Sequence, residues 1–465
     1  MKQSLTALLL AALHMIAAHA KQPPNILFII TDQQHAGMLS CTGNPYLKTP
    51  ALDSLAATGA RFELAYCANP VCMPSRISMM TGVFPSRVGV ETNGKSKAKM
   101  MPDILENSLG RVFQQGGYET VYGGKSHLPM SLEDFGFKNI TNDGREKLAE
   151  TCAEFLRQPH DRPFLMVASF INPHDICMMA IEDAKHPGNI PGPKELVEAM
   201  ALPPGMSREK FFADVCPPLP DNFEIPAGEP EDILAADTQD FRTHARTKWT
   251  DEQWRLYRWA YARLTERADA EIGVVLTALR ETGLDQNTVV VFSSDHGDMD
   301  AAHRLEHKSV FYEEATRVPL IVSWKGVTQP GLVDRKHLVS TGQDLIPTLC
   351  DFAGLPVPSA LKGNSVRALA EGRTPSSWRD TVVVENGSSR MVRTARYKYV
   401  VYASGARREQ LTDLVADPGE MKNLALDPQA APVLAEHRRL LKEWYQQNGE
   451  TLDSKYVVTG KDSNE

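Results

Sequence analysis

A cysteine and an arginine lie four residues apart at the start of a predicted helix. In the run VCMPSR (residues 71–76), Cys72 comes just before a helix that we predict at about residues 75–81, with Gly82 after its end. The N-terminus of a helix favours negative charge, and Arg76 adds a fixed positive charge one turn further on. A cysteine in these surroundings is an activated thiolate or another nucleophile. The alternative is a small buried hydrophobic residue, which is the commoner role of a single cysteine.

Two short polar runs each follow a segment that predicts a buried strand. Residues 31–34 (TDQQ) come after NILFII (25–30), and residues 294–298 (SDHGD) come after TVVVFS (288–293). Ligands of open parallel sheets bind beyond the carboxyl ends of the strands, so both runs are expected to face one crevice. Two carboxylates, an amide oxygen and an imidazole predict a divalent-cation site there, and mostly oxygen donors favour Ca²⁺ or Mg²⁺ over zinc. The alternative is that each aspartate only caps its turn.

The elements that must hold these residues alternate between strands and helices. In the first three quarters of the chain, apolar runs predict strands at residues 25–30, 119–122, 164–170 and 288–293, and apolar residues at helical spacing predict helices at about 49–59, 109–115 and 250–281. Later in the chain, the same patterns predict strands at 382–385, 391–394 and 397–402 and a helix at about 428–448. Strands that alternate with helices over most of a chain are typical of an α/β domain with a largely parallel sheet.

The chain divides into three predicted parts. Residues 1–20 have a positive start, an apolar core and an A-x-A end, which indicate a secretory signal peptide cleaved after Ala20; a buried N-terminal helix is the alternative. Residues 21–354 form the predicted catalytic domain, in which residues 176–246 are a proline-rich insertion of loops and short helices over a binding site. Residues 355–465 form a smaller C-terminal subdomain.

Composition excludes several classes of protein. The formal net charge is −8, from 50 Lys and Arg against 58 Asp and Glu, so the chain is not built mainly to neutralise nucleic-acid phosphates. Seven cysteines without a C-x-x-C pair exclude a disulfide scaffold and offer no zinc site. If one is consumed in chemistry, six remain, and Cys177 with Cys216 is one candidate bridge. After the signal peptide no apolar segment is long enough to span a membrane, so we expect a secreted or periplasmic protein.

Several runs of the chain resemble the type I sulfatases, of the alkaline-phosphatase-like superfamily. The signature C-x-P-S-R at residues 72–76, with M-T-G at 80–82, is similar to the segment whose cysteine that family oxidises to Cα-formylglycine after translation. Further runs follow the family's order: NILFIITDQQ, TPALDSLAATGARFELAYC, SSDHGD, YEEATRVPLIV and EQLTDLVADPGEMKNLA. The resemblance implies an alkaline-phosphatase-like sandwich. Its large, mostly parallel central sheet is flanked by helices, and its C-terminal subdomain has a short antiparallel sheet and a helix.

The resemblance also implies a metal site and a modified nucleophile. The residues that would bind the metal, usually Ca²⁺ with Mg²⁺ as an alternative, are Asp32, Gln33, Asp295 and His296. Many members have an aspartate where this chain has Gln33, and an amide contributes an oxygen without a charge. Cys72 would be the formylglycine precursor, and Arg76 would hold its hydrated form.

Four further residues match the family's sulfate pocket: Lys125, His127, His174 and Lys308. The two lysines would share the negative charge of the transferring sulfate. His174 would protonate the departing alcohol oxygen, and His127 would take a proton at position 72 so that sulfate is released. Judged alone, the lysines are equally explained as solvent-exposed side chains and the histidines as hydrogen-bonded structural residues.

Five more basic residues are candidates for contacts with the anionic or sugar part of a substrate. They are Arg242, His244 and Arg246 in the insertion, and His303 and His307 after the last strand predicted in the catalytic domain. Residues 306–308 read EHK where the family frequently has W-G-K. His307 is therefore a local departure that would serve substrate recognition.

The resemblance implies a sulfuric-ester hydrolase that removes sulfate from a sulfated carbohydrate, with a hydrated formylglycine as nucleophile and a divalent cation. Its expected partners are a sulfated saccharide substrate and a formylglycine-generating or sulfatase-maturating enzyme, with no nucleic acid and no membrane span. The alternatives are a phosphonate monoester or phosphodiester hydrolase of the same superfamily, and a catalytically inactive sugar-binding homologue. The sugar, the position of its sulfate and exo or endo action stay open at this point.

Overall fold

A computed structural model of the chain describes residues 23–94, 100–235 and 240–458. The predicted signal peptide, residues 1–20, lies outside these ranges. Within them, no helix combines the length and the apolar composition that crossing a membrane requires.

The strands of the described residues form a large sheet, a small pair and a four-stranded sheet. They are β1 (Asn25–Asp32), β2 (Ala60–Phe62), β3 (Ala65–Tyr66), β4 (Glu119–Gly124), β5 (Lys138–Thr141), β6 (Phe164–Pro173), β7 (Thr288–Ser294), β8 (Leu320–Ser323), β9 (Leu332–Asp334), β10 (Val339–Ser340), β11 (Val382–Glu385), β12 (Ser389–Arg393), β13 (Tyr397–Tyr402) and β14 (Glu409–Asp413).

The α-helices of the same residues range from one turn to more than eight. They are α1 (Pro50–Thr58), α2 (Cys72–Thr81), α3 (Pro85–Val88), α4 (Pro102–Glu106), α5 (Leu109–Gln115), α6 (Leu148–Arg157), α7 (Cys177–Lys185), α8 (Lys194–Met200), α9 (Arg208–Asp214), α10 (Asp232–Ala235), α11 (Asp240–Lys248), α12 (Asp251–Glu281), α13 (Glu313–Thr316), α14 (Thr341–Ala353), α15 (Arg367–Ala370) and α16 (Ala431–Gln447). Short 3₁₀ helices lie at Ser40–Thr42, His174–Ile176, Leu284–Asn287, Ala302–Arg304, Leu424–Leu426, Pro428–Ala430 and Ser454–Tyr456.

Parallel pairing dominates the central sheet, whose strand order is β5-β4-β6-β1-β7-β8-β2-β9. In the run β5-β4-β6-β1-β7 of this order, each strand is parallel to its neighbour. Strand β8 is antiparallel to both β7 and β2. The mostly parallel sheet flanked by helices confirms the predicted α/β sandwich.

Successive side chains of strand β1 point alternately into two hydrophobic cores, one on each face of the sheet. Phe28 and Ile30 pack with residues of α2, α5 and α14, whereas Leu27 and Ile29 pack with residues of α1, α6 and α12. All four side chains are buried. Both faces of this strand are therefore covered, which is why its sequence is a continuous apolar run.

The carboxyl ends of β4, β6, β1 and β7 meet at one edge of the sheet. Thr31 of β1 pairs with Ser294 of β7, and Gly124 of β4 pairs with Ser169 of β6. The polar runs that follow these strands are thereby gathered in one crevice, as the position of ligand sites in open α/β sheets predicts.

The predicted insertion folds as the short helices α7 to α11 and the loops between them. It packs on α12, whose Trp254, Tyr257 and Tyr261 are buried in the shared core. Helix α12 begins with a capping box between Thr250 and Gln253, which satisfies backbone N–H groups of its first turn.

The C-terminal residues form the predicted antiparallel sheet, in the order β11-β12-β13-β14, covered by α16. Strand β14 has no counterpart in the sequence prediction.

All seven cysteines are free, so the candidate bridge between Cys177 and Cys216 is wrong. Cys177 begins α7 beside His174, whereas Cys216 packs with Phe211 and Trp259.

Candidate active site

The Arg76 side chain hydrogen-bonds residues at the ends of four neighbouring strands. Its guanidinium, in a side chain 1 % exposed, donates from Nη2 to Asp32 Oδ2 at 2.9 Å and from Nε to Asp295 Oδ2 at 2.8 Å. Its Nη1 donates to Ser169 Oγ at 2.8 Å and to the backbone carbonyl of Lys125 at 2.7 Å. A planar group with five fixed donors suits this arrangement, because it fixes the loops relative to one another.

Cys72 is the first residue of α2, three residues before the predicted start of that helix. The atoms around its Sγ are Lys308 Nζ at 2.9 Å, His296 Nε2 at 3.2 Å, Asp32 Oδ1 at 3.6 Å and Lys125 Nζ at 4.0 Å. Burial disfavours the thiolate, but Lys308, Lys125 and His296 lower the pKa of Cys72 well below its ordinary value. Position 72 is therefore surrounded by groups that stabilise an anion.

Asp32 and Asp295 are neighbouring carboxylates with no exposure to solvent. Burial and Cys72 act to raise the pKa of Asp32, but Lys125, 2.6 Å from its Oδ2, and Arg76 hold that pKa well below the usual range. Burial and the charge of Asp32 raise the pKa of Asp295. Two buried carboxylates this close to each other attract a further cation.

Asp32, Cys72, Asp295 and His296 form a group with the geometry of a metal site. One ligand atom of each lies within 4.8 Å of the others. Nδ1 of His296 donates to the Gly297 carbonyl at 2.9 Å, which orients the ring with Nε2 towards the group. The buried carboxylates and the oriented imidazole fit a divalent cation that takes mainly oxygen ligands.

Gln33 lies beside this group with both ends of its amide engaged. Its Oε1 accepts from Lys308 Nζ at 2.9 Å, and its Nε2 donates to Asp298 Oδ2 at 2.7 Å. Asp298 also accepts from the Tyr257 hydroxyl at 2.7 Å, and burial raises its pKa to about 6. The role of Gln33 as a metal ligand stays a prediction; these contacts show that it links Lys308 to Asp298.

The predicted histidines lie in the turns that follow β4 and β6. His127 has a left-handed backbone, with φ of 45°, and its side chain helps to lower the pKa of Cys72. His174 is half-buried and interacts with the Asp32 carboxylate. Burial lowers the pKa of His174, but Cys177 and Asp32 together raise it to about 9.

The five other basic candidates have internal partners. They pair as Arg242 with the Lys308 carbonyl (2.6 Å), His244 with Asp183 (3.0 Å), Arg246 with Glu229 (2.8 Å), His303 with the Tyr312 ring (3.9 Å between centroids) and His307 with Glu306 (2.5 Å). All except His244 are buried. The contact of Arg242 joins the insertion to the loop after β7, whereas the other four lie within one of these regions. Substrate binding by these residues stays a prediction.

Three residues of the site have no individual role in the sequence prediction: Ser169, Asp298 and Cys177. Asp298 closes the same SDHGD run that contains Asp295 and His296, so its position was a usable signal. Ser169 lies inside a predicted strand, and nothing in the sequence shows that its hydroxyl meets Arg76. The contact of Cys177 with His174 likewise requires the folded turn after β6.

Residues 24–355 match the family described as Sulfatase, and residues 301–447 match N-sulphoglucosamine sulphohydrolase, C-terminal. The chain is 31 % identical over 453 residues to Delta 4,5-hexuronate-2-O-sulfatase of Bacteroides thetaiotaomicron, covering 92 % of this chain and 90 % of that protein. A solved 2-O GAG sulfatase superposes with a TM-score of 0.80 at 30 % identity, over 96 % of this chain and 98 % of that one. A phosphonate monoester hydrolase of Agrobacterium radiobacter superposes with a TM-score of 0.72 over 94 % and 99 % of the two chains, but its 21 % identity shows a shared fold alone.

Proposed function

The chain belongs to the sulfatase family and is a sulfuric-ester hydrolase, and from this premise we propose that its substrate is a sulfated saccharide containing uronic acid. The observation that carries the proposed reaction is the convergence of two lysines on Cys72, and the substrate class rests on the named relatives. Lys308 Nζ is 2.9 Å and Lys125 Nζ is 4.0 Å from its sulfur.

In this proposal the reaction takes place at position 72. A sulfate monoester is a tetrahedral anion, and cleavage of its S–O bond develops further charge on the leaving oxygen. Cations beside the point of attack bind the non-bridging oxygens and stabilise the charge of the transition state, which is usually the largest catalytic effect. The short distances from Lys125 and Lys308 to Cys72 support this role for both lysines.

Two groups complete the proposed site. Formylglycine made from Cys72 supplies, in its hydrated form, an oxygen nucleophile that has a second hydroxyl. A divalent cation, Ca²⁺ or alternatively Mg²⁺, supplies Lewis-acid charge stabilisation. Asp32, Asp295 and His296 are the residues that would hold it, with Gln33 as the remaining candidate; their burial and close approach support this assignment.

Two histidines would move the protons. The pKa of His174, raised to about 9, keeps this imidazole protonated at neutral pH, so it is able to donate to the departing alcohol oxygen. His127, whose side chain helps to lower the pKa of the group at position 72, is the base proposed to remove a hydroxyl proton there. Arg76 would orient the group at position 72 through its contacts with Asp32 and Asp295.

Likeness along nearly the whole of both chains supports a uronate substrate. The 31 % identical relative is named for the 2-O-sulfate of an unsaturated hexuronate, and the solved structure with a TM-score of 0.80 is called a 2-O GAG sulfatase. A sulfated uronate carries a carboxylate besides the sulfate. A site with several cationic side chains suits such a doubly anionic sugar.

Release of inorganic sulfate from defined disaccharides tests the proposal. The enzyme is produced together with a formylglycine-generating enzyme and is offered an unsaturated 2-O-sulfated uronate disaccharide, a 6-O-sulfated glucosamine disaccharide and a phosphonate monoester. We expect sulfate from the first substrate, and a loss of at least about 10³-fold in Cys72→Ala, because the nucleophile is removed. Cleavage of the 6-O-sulfate alone would exclude the uronate. Cleavage of the phosphonate without release of sulfate from any ester would overturn the proposed reaction.

We also propose that the protein is exported and matured by a dedicated modifying enzyme. The pattern of residues 1–20 and the C-x-P-S-R signature support this. Mass spectrometry of the protein from its native host tests both points, since it reads the N-terminus expected at Lys21 and the aldehyde expected at position 72. An unmodified thiol there would favour a sugar-binding protein without catalysis.

A further inference from the structure

A second cluster of ionisable side chains adjoins the candidate active site. Cys177, 3 % exposed, begins α7 three residues after His174. Its Sγ is 3.9 Å from Nδ1 and 4.0 Å from Nε2 of that imidazole. Because the sulfur is almost equally far from both nitrogens, the contact is electrostatic rather than a directed hydrogen bond. A cysteine therefore lies against the residue that is proposed to protonate the leaving group.

An imidazole–carboxylate pair lies near the same thiol. His307 lowers the pKa of Cys177, and Cys177 raises that of His307, so each side chain stabilises the charged form of the other. His307 Nδ1 is 2.5 Å from Glu306 Oε2, and Glu306 has no exposure to solvent. The order of groups is carboxylate, imidazole, thiol and a second imidazole.

The backbone of the segment around His307 is fixed by three hydrogen bonds. The His307 N–H donates to the Tyr257 hydroxyl at 3.3 Å, and the His307 carbonyl accepts from the Met299 N–H at 2.8 Å. Arg242 Nη2 donates to the next carbonyl, that of Lys308, at 2.6 Å. The segment that carries His307 is thus held in place by the fold, and the same segment brings Lys308 to Cys72.

Charges of alternating sign follow from this order. Burial disfavours each ion, but Glu306 and Cys177 raise the pKa of His307 to about 10, and His174 and His307 lower the pKa of Cys177 to about 5. The N-terminus of α7 adds to the stabilisation of a thiolate. At neutral pH a Cys177 thiolate therefore lies between the imidazolium rings of His307 and His174.

We propose that Cys177, held as a thiolate by His307 and Glu306, is a positioning residue that keeps His174 oriented and protonated for donation to the leaving oxygen. This inference rests on the proposed role of His174 in sulfate-ester cleavage. The other charged groups that act on His174 are Lys125 and Lys308, which oppose its protonation, and Asp32, which favours it. A thiolate beside the ring offsets the two lysines. Asp298 also interacts with His307, and Arg242 Nε lies 3.9 Å from Glu306 Oε1.

The proposal predicts that loss of the thiolate affects substrates differently, according to their leaving groups. A sugar hydroxyl is a poor leaving group, so its departure depends on a proton from His174. A 4-nitrophenolate is stable as an anion and departs without that proton. Loss of the thiolate should therefore slow the cleavage of sugar sulfates more than that of an activated aryl sulfate.

The decisive variant is Cys177→Ser, which keeps a small polar side chain but is neutral at all working pH values. Its matched control is Cys152→Ser, at another buried free cysteine, in α6 and without a role in the site. A second variant, His307→Asn, removes the imidazole with a residue that tolerates the left-handed φ of 68°. The pH profile of kcat/KM on the sulfated disaccharide is measured for each protein, together with the rate on 4-nitrophenyl sulfate.

We expect the alkaline limb of the profile to move to lower pH by about one unit or more in Cys177→Ser, because a less stabilised imidazolium loses its proton earlier. Above about pH 9 the rate on the disaccharide should fall by roughly 10-fold, with a much smaller loss at neutral pH and on any aryl sulfate that is cleaved. His307→Asn should shift the limb in the same direction, and Cys152→Ser should leave it unmoved. An unmoved limb in Cys177→Ser, or an equal loss at every pH, would overturn the inference. A wild-type enzyme that cleaves no sulfate ester would instead overturn the proposed function.

Discussion

At the scale of single residues, the site depends on one buried cation that compensates two buried carboxylates. Arg76 contacts Asp32 at 2.9 Å and Asp295 at 2.8 Å, and all three side chains are almost fully buried. Forming such a pair in a protein interior costs much of its Coulomb energy in desolvation. Removing one partner, however, leaves an uncompensated buried charge, which costs far more.

Arg76→Ala should therefore lower the free energy of unfolding by about 3–5 kcal/mol in metal-free buffer. The matched control is Arg157→Ala, because Arg157 pairs with Glu281 at 3.3 Å while both side chains are about half exposed. That exposed pair is screened by water and should contribute less than about 1 kcal/mol. Urea unfolding at pH 7 measures both values. Equal effects of the two substitutions would show that Arg76 does not carry the compensation assigned to it.

A buried histidine outside the active site makes the stability depend on pH. His303 has no exposure to solvent and stacks on Tyr312 with ring centroids 3.9 Å apart. Burial lowers its pKa from 6.5 to about 4. The folded protein thus binds this proton less tightly than the unfolded chain does. The resulting stability is fully present above pH 6.5 and is lost as the pH falls towards 4.

His303→Asn removes this titration with a residue that tolerates the left-handed φ of 58°. Between pH 7 and pH 4, we expect the wild type to lose up to about 3 kcal/mol more unfolding free energy than the variant. Urea midpoints at several pH values give the difference. Parallel curves for the two proteins would show that His303 binds its proton equally well in the folded and the unfolded state.

The residues of the site could be predicted from the sequence to an unequal extent. Cys72, Arg76 and Asp295 lie in runs that directly flank predicted elements, so the order of elements already brings them together. Gln33 was predicted as a ligand from its place beside Asp32, whereas its contacts with Lys308 and Asp298 depend on the path of the loop after β7. Side-chain partners more than two hundred residues apart follow only from the assembled sheet.

At the scale of elements, a crossing of two helices sets the position of the nucleophile. Helix α2 carries Cys72 at its first residue and packs against α14. A side-chain carbon added to Gly342, near the start of α14, would lie 2.6 Å from the Cβ of Ala68 and 2.8 Å from the Cβ of Ser78 in α2. Contacts this short require one of the two backbones to move.

Gly342→Ala should therefore destabilise the protein by about 1–3 kcal/mol and also lower kcat, because α2 is displaced together with Cys72. The matched control is Gly273→Ala in α12, where the nearest atom to an added carbon is the Cβ of Ala51 at 3.6 Å. That substitution has room and replaces a helical glycine, so we expect a gain of up to about 1 kcal/mol and unchanged kcat. Thermal melts and sulfate release read out both effects. Changes of the same sign in both variants would contradict the close crossing.

The elements themselves were predictable where an apolar pattern was strong. Strands β1, β4, β6 and β7 and the long helix α12 follow their patterns, although β6 and α2 extend beyond the predicted ends. Helix α14 was missed, since Pro347 inside it indicates a break in a helix. Strand β14 reads EQLTD and looks like an exposed loop, but its Glu409 is buried against Tyr399 and Arg438. Polar side chains that are buried with partners leave no periodic apolar signal.

At the scale of the whole molecule, the C-terminal sheet shares its core with the catalytic part. Val384 and Val400 of that sheet pack in one cluster with Tyr66, Met299 and Phe311. The predicted division at residue 354 stays a prediction, but such a shared core argues that the two parts unfold together.

A buried ion pair crosses the same boundary and makes the joint unfolding testable. Lys398 in β13, 2 % exposed, has its Nζ 2.6 Å from Glu420 Oε1 and 3.2 Å from Glu313 Oε1 at the start of α13. Lys398→Ala leaves the buried Glu420 carboxylate without this cation, whereas Glu313 keeps Arg317 at 3.3 Å. We therefore expect a loss of about 3–5 kcal/mol in one transition seen alike by tryptophan fluorescence and far-UV circular dichroism. Lys422→Ala, which removes an exposed partner of Asp427 at 3.8 Å, should change stability by less than about 1 kcal/mol. Two separate transitions in Lys398→Ala, with the catalytic part unchanged, would show that the C-terminal sheet is an independent unit. A single transition shifted as a whole means that a substitution far from Cys72 lowers the stability of the active site by the same amount.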